Sequence, residues 1–377
     1  MSRIYLDYNA SAPLRPEAIE AMSRAFAAPG NPSSVHAAGR AARAMVEEAR
    51  NAVAALIGGP ASTVVFTSGG TEANALAIES AVATGSKRLI VSAIEHDSVL
   101  ESAKASGAAV EWLPVSAEGV ADLAWLSERL GRWDAADGRP FVALMHANNE
   151  TGVIQPVREA AEIVRAAEGW LHVDAVQSAG KIVTDSRALG ADTLVVSAHK
   201  LGGPQGVGAL TFGPRATLVR RQHGGGQERG RRAGTENVAG IAGFGAAALA
   251  ALKDQNTDPA PRDRAAARLK AAGAVVMGEG APRLPGTLCA ASPGWGSELQ
   301  VMQMDLAGIM VSAGSACSSG KVKASHVLTA MGQGDLAACA IRVSGGWATQ
   351  PEDWAAFAAA WEQVQSRHAA RHRAPAA

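Results

Sequence analysis

The sequence predicts an α/β protein with a large domain, in which helices flank a mainly parallel sheet of seven strands, and a smaller α+β domain. Short apolar runs alternate with helical stretches from about residue 17 to residue 250, which is typical of a parallel sheet. A chain of 377 residues is also longer than a single core usually supports. A polar stretch with two prolines at residues 253–264 separates this pattern from the carboxyl-terminal part of the chain.

Seven apolar runs predict the strands of the large sheet. They occupy residues 62–68, 88–94, 109–115, 141–147, 170–176, 193–198 and 207–212. Helical patterns lie between several of them, at residues 70–84 and 157–169 for example, and another precedes them at residues 42–58. The last of these ends at a glycine pair, which commonly terminates a helix.

The remaining segments predict the smaller domain. Strand-like runs at residues 271–279, 286–292 and 339–346 precede a final helix at residues 354–368. We predict a large domain of residues 15–255, with residues 1–14 and 256–377 forming the small one. Within the latter, about residues 312–325, a run of small residues around one cysteine predicts a mobile loop.

Composition excludes several classes of protein. Lysine plus arginine equals aspartate plus glutamate at 35 each, so we expect neither a nucleic-acid partner nor a membrane surface. The sequence shows no secretory leader pattern. Cysteines at 289, 317 and 339 make no disulfide framework and, with the histidines, no metal-ligand spacing, so we predict no metal site. Free thiols favour a cytoplasmic location.

Polar residues follow five of the predicted strands. Ligands of open α/β sheets bind beyond the carboxyl ends of the strands, so these residues are candidates for a site at one edge of the sheet. They are residues 68–72, residues 95–96, residues 148–152, Asp174 with Gln177, and residues 199–200.

Each of these groups has a chemical and a structural interpretation. Gly70 and Thr71 at a helix start suit a phosphate, or merely cap the helix. Asp174 could pair with a cationic ring nitrogen or cap a helix. Lys200 could be a desolvated nucleophile or a solvated lysine. His96 could stack on a ring and move protons, or be structural. Together they match the needs of pyridoxal phosphate.

The ordered motifs resemble the cysteine desulfurases of the NifS/IscS type, in the aminotransferase class V branch of the fold type I pyridoxal phosphate enzymes. The resemblance extends over nearly the whole chain. Its motifs are YLDYNASAP, GNPSSVH, FTSGGTEANALAI, EH, NNETG, VDAVQSAGK, SAHKLGGPQGVGAL, GGGQERGRRAGTENV, SAGSACSSGK, SHVL and IRVS.

The resemblance implies a set of cofactor contacts. Lys200 would attach the cofactor covalently, His96 would stack on its ring, Asp174 would pair with the ring nitrogen and Gln177 would bond the phenolic oxygen. Its phosphate would be held by Gly70, Thr71, Ser197 and His199. Thr235 would reach the phosphate of the neighbouring subunit, which implies a homodimer.

The resemblance also implies the substrate side of the site. Asn148 and Arg342 would bind the carboxylate of L-cysteine, with Asn31 nearby. Cys317 would accept the sulfur as a persulfide, with L-alanine as the other product. Lys200 and His96 would move protons along this path, so Cys317, Lys200 and His96 are the predicted catalytic residues.

A sulfur acceptor or an iron–sulfur scaffold protein is the implied partner. The chain departs from the family pattern at Gly203, Gln205 and Trp347, and a basic GKVK follows Cys317, which leaves the acceptor open. Two other functions stay open at this point. One is a different pyridoxal phosphate enzyme, such as a transaminase or a selenocysteine or cystine lyase. The other is a scaffold without turnover, against which the combined set of site residues argues.

Overall fold

A computed structural model describes residues 3–255, 257–314 and 324–373. The strands in these ranges are β1 (Ile4–Tyr5), β2 (Val65–Thr67), β3 (Arg88–Ser92), β4 (Ala109–Leu113), β5 (Phe141–Ala143), β6 (Trp170–Asp174), β7 (Thr193–Ser197), β8 (Gly208–Phe212), β9 (Val275–Val276), β10 (Thr287–Ala291), β11 (Ile309–Met310), β12 (Ser312–Ala313) and β13 (Ala340–Ser344).

Seven of these strands form one sheet in the order β2-β8-β7-β6-β5-β3-β4. Neighbouring strands from β7 to β4 run parallel, and β8 alone runs against both of its neighbours. The carboxyl ends of β2, β3, β5, β6 and β7 therefore meet at one edge of the sheet. The predicted fold class is confirmed, and each of the seven predicted runs contains one of these strands.

Helices pack on both sheets of the chain. The helices in the described ranges are α1 (Pro16–Ala27), α2 (Ala37–Leu56), α3 (Gly70–Ala83), α4 (Asp97–Ala105), α5 (Leu123–Gly131), α6 (Val157–Ala166), α7 (Val238–Ala251), α8 (Ala260–Ala271), α9 (Ser297–Leu306), α10 (His326–Ala330) and α11 (Pro351–Arg373). Of these, α8 and α9 pack against strands of the carboxyl-terminal part. Helix α7 packs against both α1 and α2. Its residues are mostly alanine and glycine, so its backbone can approach both neighbours closely. Among the described residues no helix is both long and apolar enough to cross a membrane.

A second, antiparallel sheet carries the carboxyl-terminal part of the chain. Its order is β12-β13-β10-β9. A separate parallel pair joins β1 to β11, and a bridge from Asp7 to Ser344 continues this link to β13. The amino-terminal segment therefore lies beside this sheet. Its core is rich in aromatic rings, with Trp295, Phe357 and Trp361 fully buried.

The polar segment at 253–264, which the sequence suggests is a linker or the edge of a domain, contains the start of a helix. Helix α8 begins inside it at Ala260. Pro259 and Pro261 do not oppose this, because proline is tolerated around the first helical position, where no intrahelical donor is required.

Candidate active site

A cavity of about 270 Å³ lies at the carboxyl edge of the large sheet. Residues that follow β2, β3, β6 and β7 reach it from this edge, and β13 closes it from the smaller sheet. The predicted site residues that line it are Gly70, Thr71, His96, Asp174, Gln177, Ser197, His199, Lys200 and Arg342.

Three other predicted residues lie elsewhere. Asn31 and Thr235 are exposed and do not line the cavity of this chain. Asn148 is fully buried and does not reach the cavity either. Cys317 lies outside the described residues.

Lys200 stands at the wall of the cavity because β7 ends in a tight turn. Strand β7 runs to Ser197, and one turn of 3-10 helix, Ala198–Lys200, follows it directly. The Lys200 amine donates to the backbone carbonyl of Asn9 at 2.6 Å and to that of Ala10 at 2.8 Å. The amino-terminal segment thus crosses the sheet edge and holds the amine beside the other polar groups.

The start of α3 offers an anion site. Its first residues, Gly70 and Thr71, line the cavity, and the first backbone N–H groups of a helix lack intrahelical partners. Strand β8 lies so close beneath that a Cβ on Gly208 would come within 2.5 Å of the Gly69 carbonyl carbon. Glycine at this position lets the loop before α3 rest on the sheet and point its N–H groups into the cavity.

Asp174 ends β6 and is buried, with 5% of its surface exposed. One carboxylate oxygen accepts from the Val176 backbone at 2.9 Å, and the other accepts from Asn74 Nδ2 at 2.8 Å. A buried carboxylate needs such donors, because burial without them is costly. The Asp174 carboxylate is therefore held in one orientation at the cavity wall.

Two histidines contribute to the same wall. His96 caps the start of α4, and its Nδ1 accepts from the Ser98 backbone at 3.1 Å. His199 lies within 3.4 Å of the Ser11 hydroxyl through its Nδ1. Burial, and then the charges of Lys200 and His96, lower the pKa of His199 to about 4, so this ring is neutral near pH 7.

The opposite side of the cavity carries Arg342, which is 2% exposed. Its Nη2 pairs with Asp7 at 2.9 Å and its Nη1 donates to the Asn149 carbonyl at 3.3 Å. Its Nε is buried and has no hydrogen-bond partner among the described residues, and the same holds for Asn149 Oδ1. Both residues line the cavity, while these two atoms themselves are buried.

The side chain of Asn148 forms hydrogen bonds with the backbone around it. Its Oδ1 accepts from the backbone of Glu150 and of Thr151, each at 2.9 Å, and its Nδ2 donates to the Ile94 carbonyl at 3.0 Å. Of these two neighbours, Asn149 lines the cavity and Asn148 does not. The sequence contains both residues side by side, and only the turn geometry distinguishes them.

Asn9 and Lys181 are two residues of the site that sequence reasoning missed. The Lys181 amine donates to Asn9 Oδ1 at 2.7 Å and to Gln177 Oε1 at 2.8 Å. Gln177 Nε2 in turn donates to the Asn9 carbonyl at 3.0 Å. Burial, and then the charges of Lys200 and Arg342, hold the pKa of Lys181 well below its usual value.

Both residues lie in motifs of the family resemblance, Asn9 in YLDYNASAP and Lys181 in VDAVQSAGK. Asn9 belongs to the segment that follows β1, which pairs with β11.

Other titratable groups are buried nearby. Glu95 is fully buried, and burial followed by the charge of Asp174 raises its pKa well above the usual range. Cys289 is also fully buried, which raises the pKa of its thiol. Among the described residues no group of three or more histidine, cysteine, aspartate or glutamate side chains could hold a metal ion.

Comparison with known proteins decides the family. The aminotransferase class-V model matches residues 4–357. A cysteine desulfurase IscS of Dictyoglomus turgidum is 39% identical over 364 residues, which cover 93% of this chain and 91% of the relative. The chain belongs to the aminotransferase class-V family, in its cysteine desulfurase branch. The predicted resemblance is confirmed.

Solved structures of this branch have the same fold. A NifS-like protein from Rickettsia africae aligns with a TM-score of 0.87 and 32% identity, over 97% of this chain and 99% of its own. A structure of SspA in complex with cysteine aligns with a TM-score of 0.78 and 28% identity, over 90% of this chain and 98% of its own. The class-V aminotransferases are pyridoxal phosphate enzymes, which makes this cavity the place to test for that cofactor.

Proposed function

We propose that the protein is an L-cysteine desulfurase that transfers the sulfur of L-cysteine to Cys317. The thiolate of Cys317 attacks the substrate sulfur, the Cβ–S bond breaks, and the products are L-alanine and a persulfide on Cys317. The observation that carries this proposal is the meeting of Lys200, Asp174, His96 and Arg342 at one cavity in a chain of the cysteine desulfurase branch.

The cavity residues fit pyridoxal phosphate as the cofactor. The start of α3, with Ser197 and His199 close by, suits the phosphate, and the oriented Asp174 carboxylate suits a protonated ring nitrogen. Gln177 would form a hydrogen bond with the phenolic oxygen, and His96 would stack on the face of the ring. Lys200 would attach covalently to the aldehyde carbon. When bound, the cofactor draws electrons from the substrate α-carbon and so weakens its bond to hydrogen.

The residues of the chain would divide the remaining work. Arg342 offers a fixed guanidinium at the cavity wall for the substrate carboxylate, with Asn149 beside it. Asn149 takes the place that Asn148 had in the sequence prediction. Lys200 would take and return a proton at its Nζ, because its amine lies among the groups that line the cavity.

The start of the segment that leads to Cys317 supports the proposed role of this residue. Strand β12 pairs with β13, and Ser312 lies opposite Arg342. Cys317 is the fourth residue after Ala313, and four extended residues span at most about 14 Å. A chain of this length is compatible with contact between the Cys317 thiol and a substrate bound to Arg342.

We also propose that the active form is a homodimer. Asn31 and Thr235 are exposed and lie away from the cavity of their own chain, which supports roles at the site of a partner subunit. A surface near α1, α2 and α7 exposes Phe26 at 74%, Val35 at 88% and Leu249 at 51%. Apolar side chains exposed to this degree are typical of a covered interface. Light scattering during size exclusion tests this proposal directly.

The persulfide requires an acceptor. A sulfur carrier or an iron–sulfur scaffold protein is the proposed partner, in line with the IscS name of the Dictyoglomus turgidum relative. We likewise propose a cytoplasmic location, which the three scattered cysteines favour.

Product analysis tests the proposed activity. Purified protein with pyridoxal phosphate, L-cysteine and a thiol reductant should form L-alanine and sulfide in equal amounts. Cys317→Ser should keep the absorbance of bound cofactor and lose both products, whereas Cys339→Ser should retain activity. Full activity of Cys317→Ser would contradict the proposal, and transfer of the amino group to a keto acid would favour a transaminase.

A further inference from the structure

A line of buried polar side chains leads from the cavity into the large domain behind Asp174. Trp170, His172 and Asp174 lie on β6, Thr193 lies on β7 and Asn74 lies on α3. Each of these five residues is at most 5% exposed. Of the five, Asn74 and Asp174 line the cavity.

Hydrogen bonds connect these residues without a gap. Trp170 Nε1 donates to Thr193 Oγ1 at 2.9 Å, and Thr193 Oγ1 lies 2.9 Å from His172 Nδ1. His172 Nε2 lies 3.0 Å from Asn74 Oδ1. Asn74 Nδ2 donates to Asp174 Oδ2 at 2.8 Å.

The chemistry of the partners determines which atom is the donor in each of these hydrogen bonds. An ionised carboxylate only accepts, so the Asn74 amide nitrogen must face Asp174 and its oxygen must face His172. That oxygen accepts, so His172 carries its hydrogen on Nε2. Burial lowers the pKa of His172 to about 3, which leaves the ring neutral with a bare Nδ1. Nδ1 therefore accepts from the Thr193 hydroxyl, which in turn accepts from the indole.

Asn74 also supplies a branch towards His96. The second hydrogen of its Nδ2 faces Ser98 Oγ at 2.9 Å. Two groups of Ser98 lie within hydrogen-bond distance of His96 Nδ1, the backbone N–H at 3.1 Å and the hydroxyl at 2.8 Å. A nitrogen that accepts from a backbone N–H carries no hydrogen of its own, so a neutral His96 has its hydrogen on Nε2.

We propose that Asn74 is a positioning residue whose single amide group holds the carboxylate of Asp174, fixes the Nε2-protonated tautomer of His172 and orients the Ser98 hydroxyl that donates to Nδ1 of His96. The roles of Asp174 and His96 in catalysis rest on the proposed function, but the hydrogen-bond directions do not. Two groups that would meet different parts of the cofactor thus depend on one buried donor.

Histidine ring nitrogens labelled with ¹⁵N test the proposal by NMR. The apoenzyme is used, without cofactor or cysteine, and the signals are assigned with His96→Gln and His172→Gln. We expect His96 and His172 each to be a single neutral tautomer with hydrogen on Nε2 and an unprotonated Nδ1. If His172 carries its hydrogen on Nδ1, the direction of the line is reversed and the proposal is overturned.

Substitutions at three positions then separate the branches. Ser98→Ala removes the hydroxyl and keeps the backbone N–H, so His96 is expected to keep its tautomer with a shifted Nδ1 resonance, while His172 stays as in the wild type. Asn74→Ala removes the acceptor of His172 Nε2, so His172 is expected to become a mixture of tautomers and the Nδ1 resonance of His96 to shift. Thr193→Val, which keeps the shape but removes the hydroxyl, is expected to shift the Nδ1 resonance of His172, whereas Thr193→Ser restores the wild-type spectrum.

A single Nε2-protonated tautomer of His172 in folded Asn74→Ala would overturn the proposal, as would an unshifted His96 Nδ1 resonance in that variant or identical His172 spectra for Thr193→Val and Thr193→Ser. If Asn74→Ala does not fold, the wild-type tautomers and the Thr193 pair still decide the question. A protein that fails to release sulfide from cysteine would contradict the proposed function and leave these tautomers untouched, so the two failures are distinguishable.

Discussion

The guanidinium of Arg342 forms an ion pair with Asp7, at 2.9 Å between Nη2 and Oδ1, beside the candidate active site. Ser312 donates to the other oxygen of Asp7 at 2.7 Å. The pair joins β13 to the segment after β1 and links both to β12. Arg342 is thus fixed along one edge at the cavity wall.

Arg342→Lys should weaken substrate binding. A lysine cannot reproduce the two-pronged guanidinium contact, so we expect the KM for L-cysteine to rise by about tenfold or more. Asp7→Asn should raise KM less, because Arg342 keeps its shape and loses only its anchor. Steady-state rates of alanine formation measure both effects. Arg268→Lys, at a half-exposed ion pair with Glu362, is the control. An unchanged KM in Arg342→Lys would exclude this residue as the carboxylate site.

Asn148 and Asn149 should respond in opposite ways to alanine substitution. Asn149→Ala removes an oxygen without a partner among the described residues, so stability should hold while kcat/KM falls by about tenfold. Asn148→Ala removes several buried hydrogen bonds and should lower the free energy of unfolding by about 2–4 kcal/mol. Denaturant unfolding and steady-state kinetics on both variants test the pair. A stable but inactive Asn148→Ala would restore the original assignment.

Lys181→Met should affect the cofactor more than the fold. The amine is costly to bury, as its lowered pKa indicates, and methionine fills similar space, so little stability should be lost. Gln177 loses the donor that holds its amide, so we expect the dissociation constant of pyridoxal phosphate to rise by about tenfold. Absorbance titration of the apoenzyme measures this constant. Lys253→Met, at an exposed lysine, should match the wild type, and equal affinity in both variants would refute the role of Lys181.

Stability should fall as the pH drops below neutrality. Burial lowers the pKa of His146 to about 4 and that of His172 to about 3, whereas an unfolded histidine titrates near 6.5. Between these values the unfolded chain binds protons that the folded chain does not, so acidification favours unfolding. Between about pH 7 and about pH 5, each ring should lower the free energy of unfolding by about 2 kcal/mol.

Denaturant unfolding of the apoenzyme at both pH values checks this expectation. Over the same pH interval, the free energy of unfolding of His146→Gln should fall by about 2 kcal/mol less than that of the wild type. His223→Gln, at an exposed histidine, should follow the wild type. The account of the buried rings fails if His146→Gln shows the full wild-type loss.

Sequence reasoning located the edge of the sheet where the site lies. Parallel strands bring their carboxyl ends together, so Asp174, His96 and Lys200 could be grouped without coordinates. The choice between Asn148 and Asn149 could not be made this way, since it depends on which of the two side chains is hydrogen-bonded within the turn. Asn31 and Thr235 stay predictions, because their proposed sites require a second subunit.

Other parts of the site depend on contacts between distant segments. Asn9 joins Lys181, Gln177 and Lys200 because β1 pairs with β11 about 300 residues later, a pairing with no local sequence signal. The hydrogen-bond line behind Asp174 likewise requires α3 to pack on the sheet. Strands as short as β11 and β12 carry too little pattern to be predicted.

Mass spectrometry of the protein during turnover tests the central claim most directly. After L-cysteine is added to the cofactor-loaded protein without reductant, thiols are alkylated and the peptides are separated. We predict that the peptide with Cys317 gains the mass of one sulfur atom, while those with Cys289 and Cys339 do not, and that a reductant removes the addition. Alanine formation with no sulfur on Cys317, or with sulfur on Cys339 instead, would contradict the account.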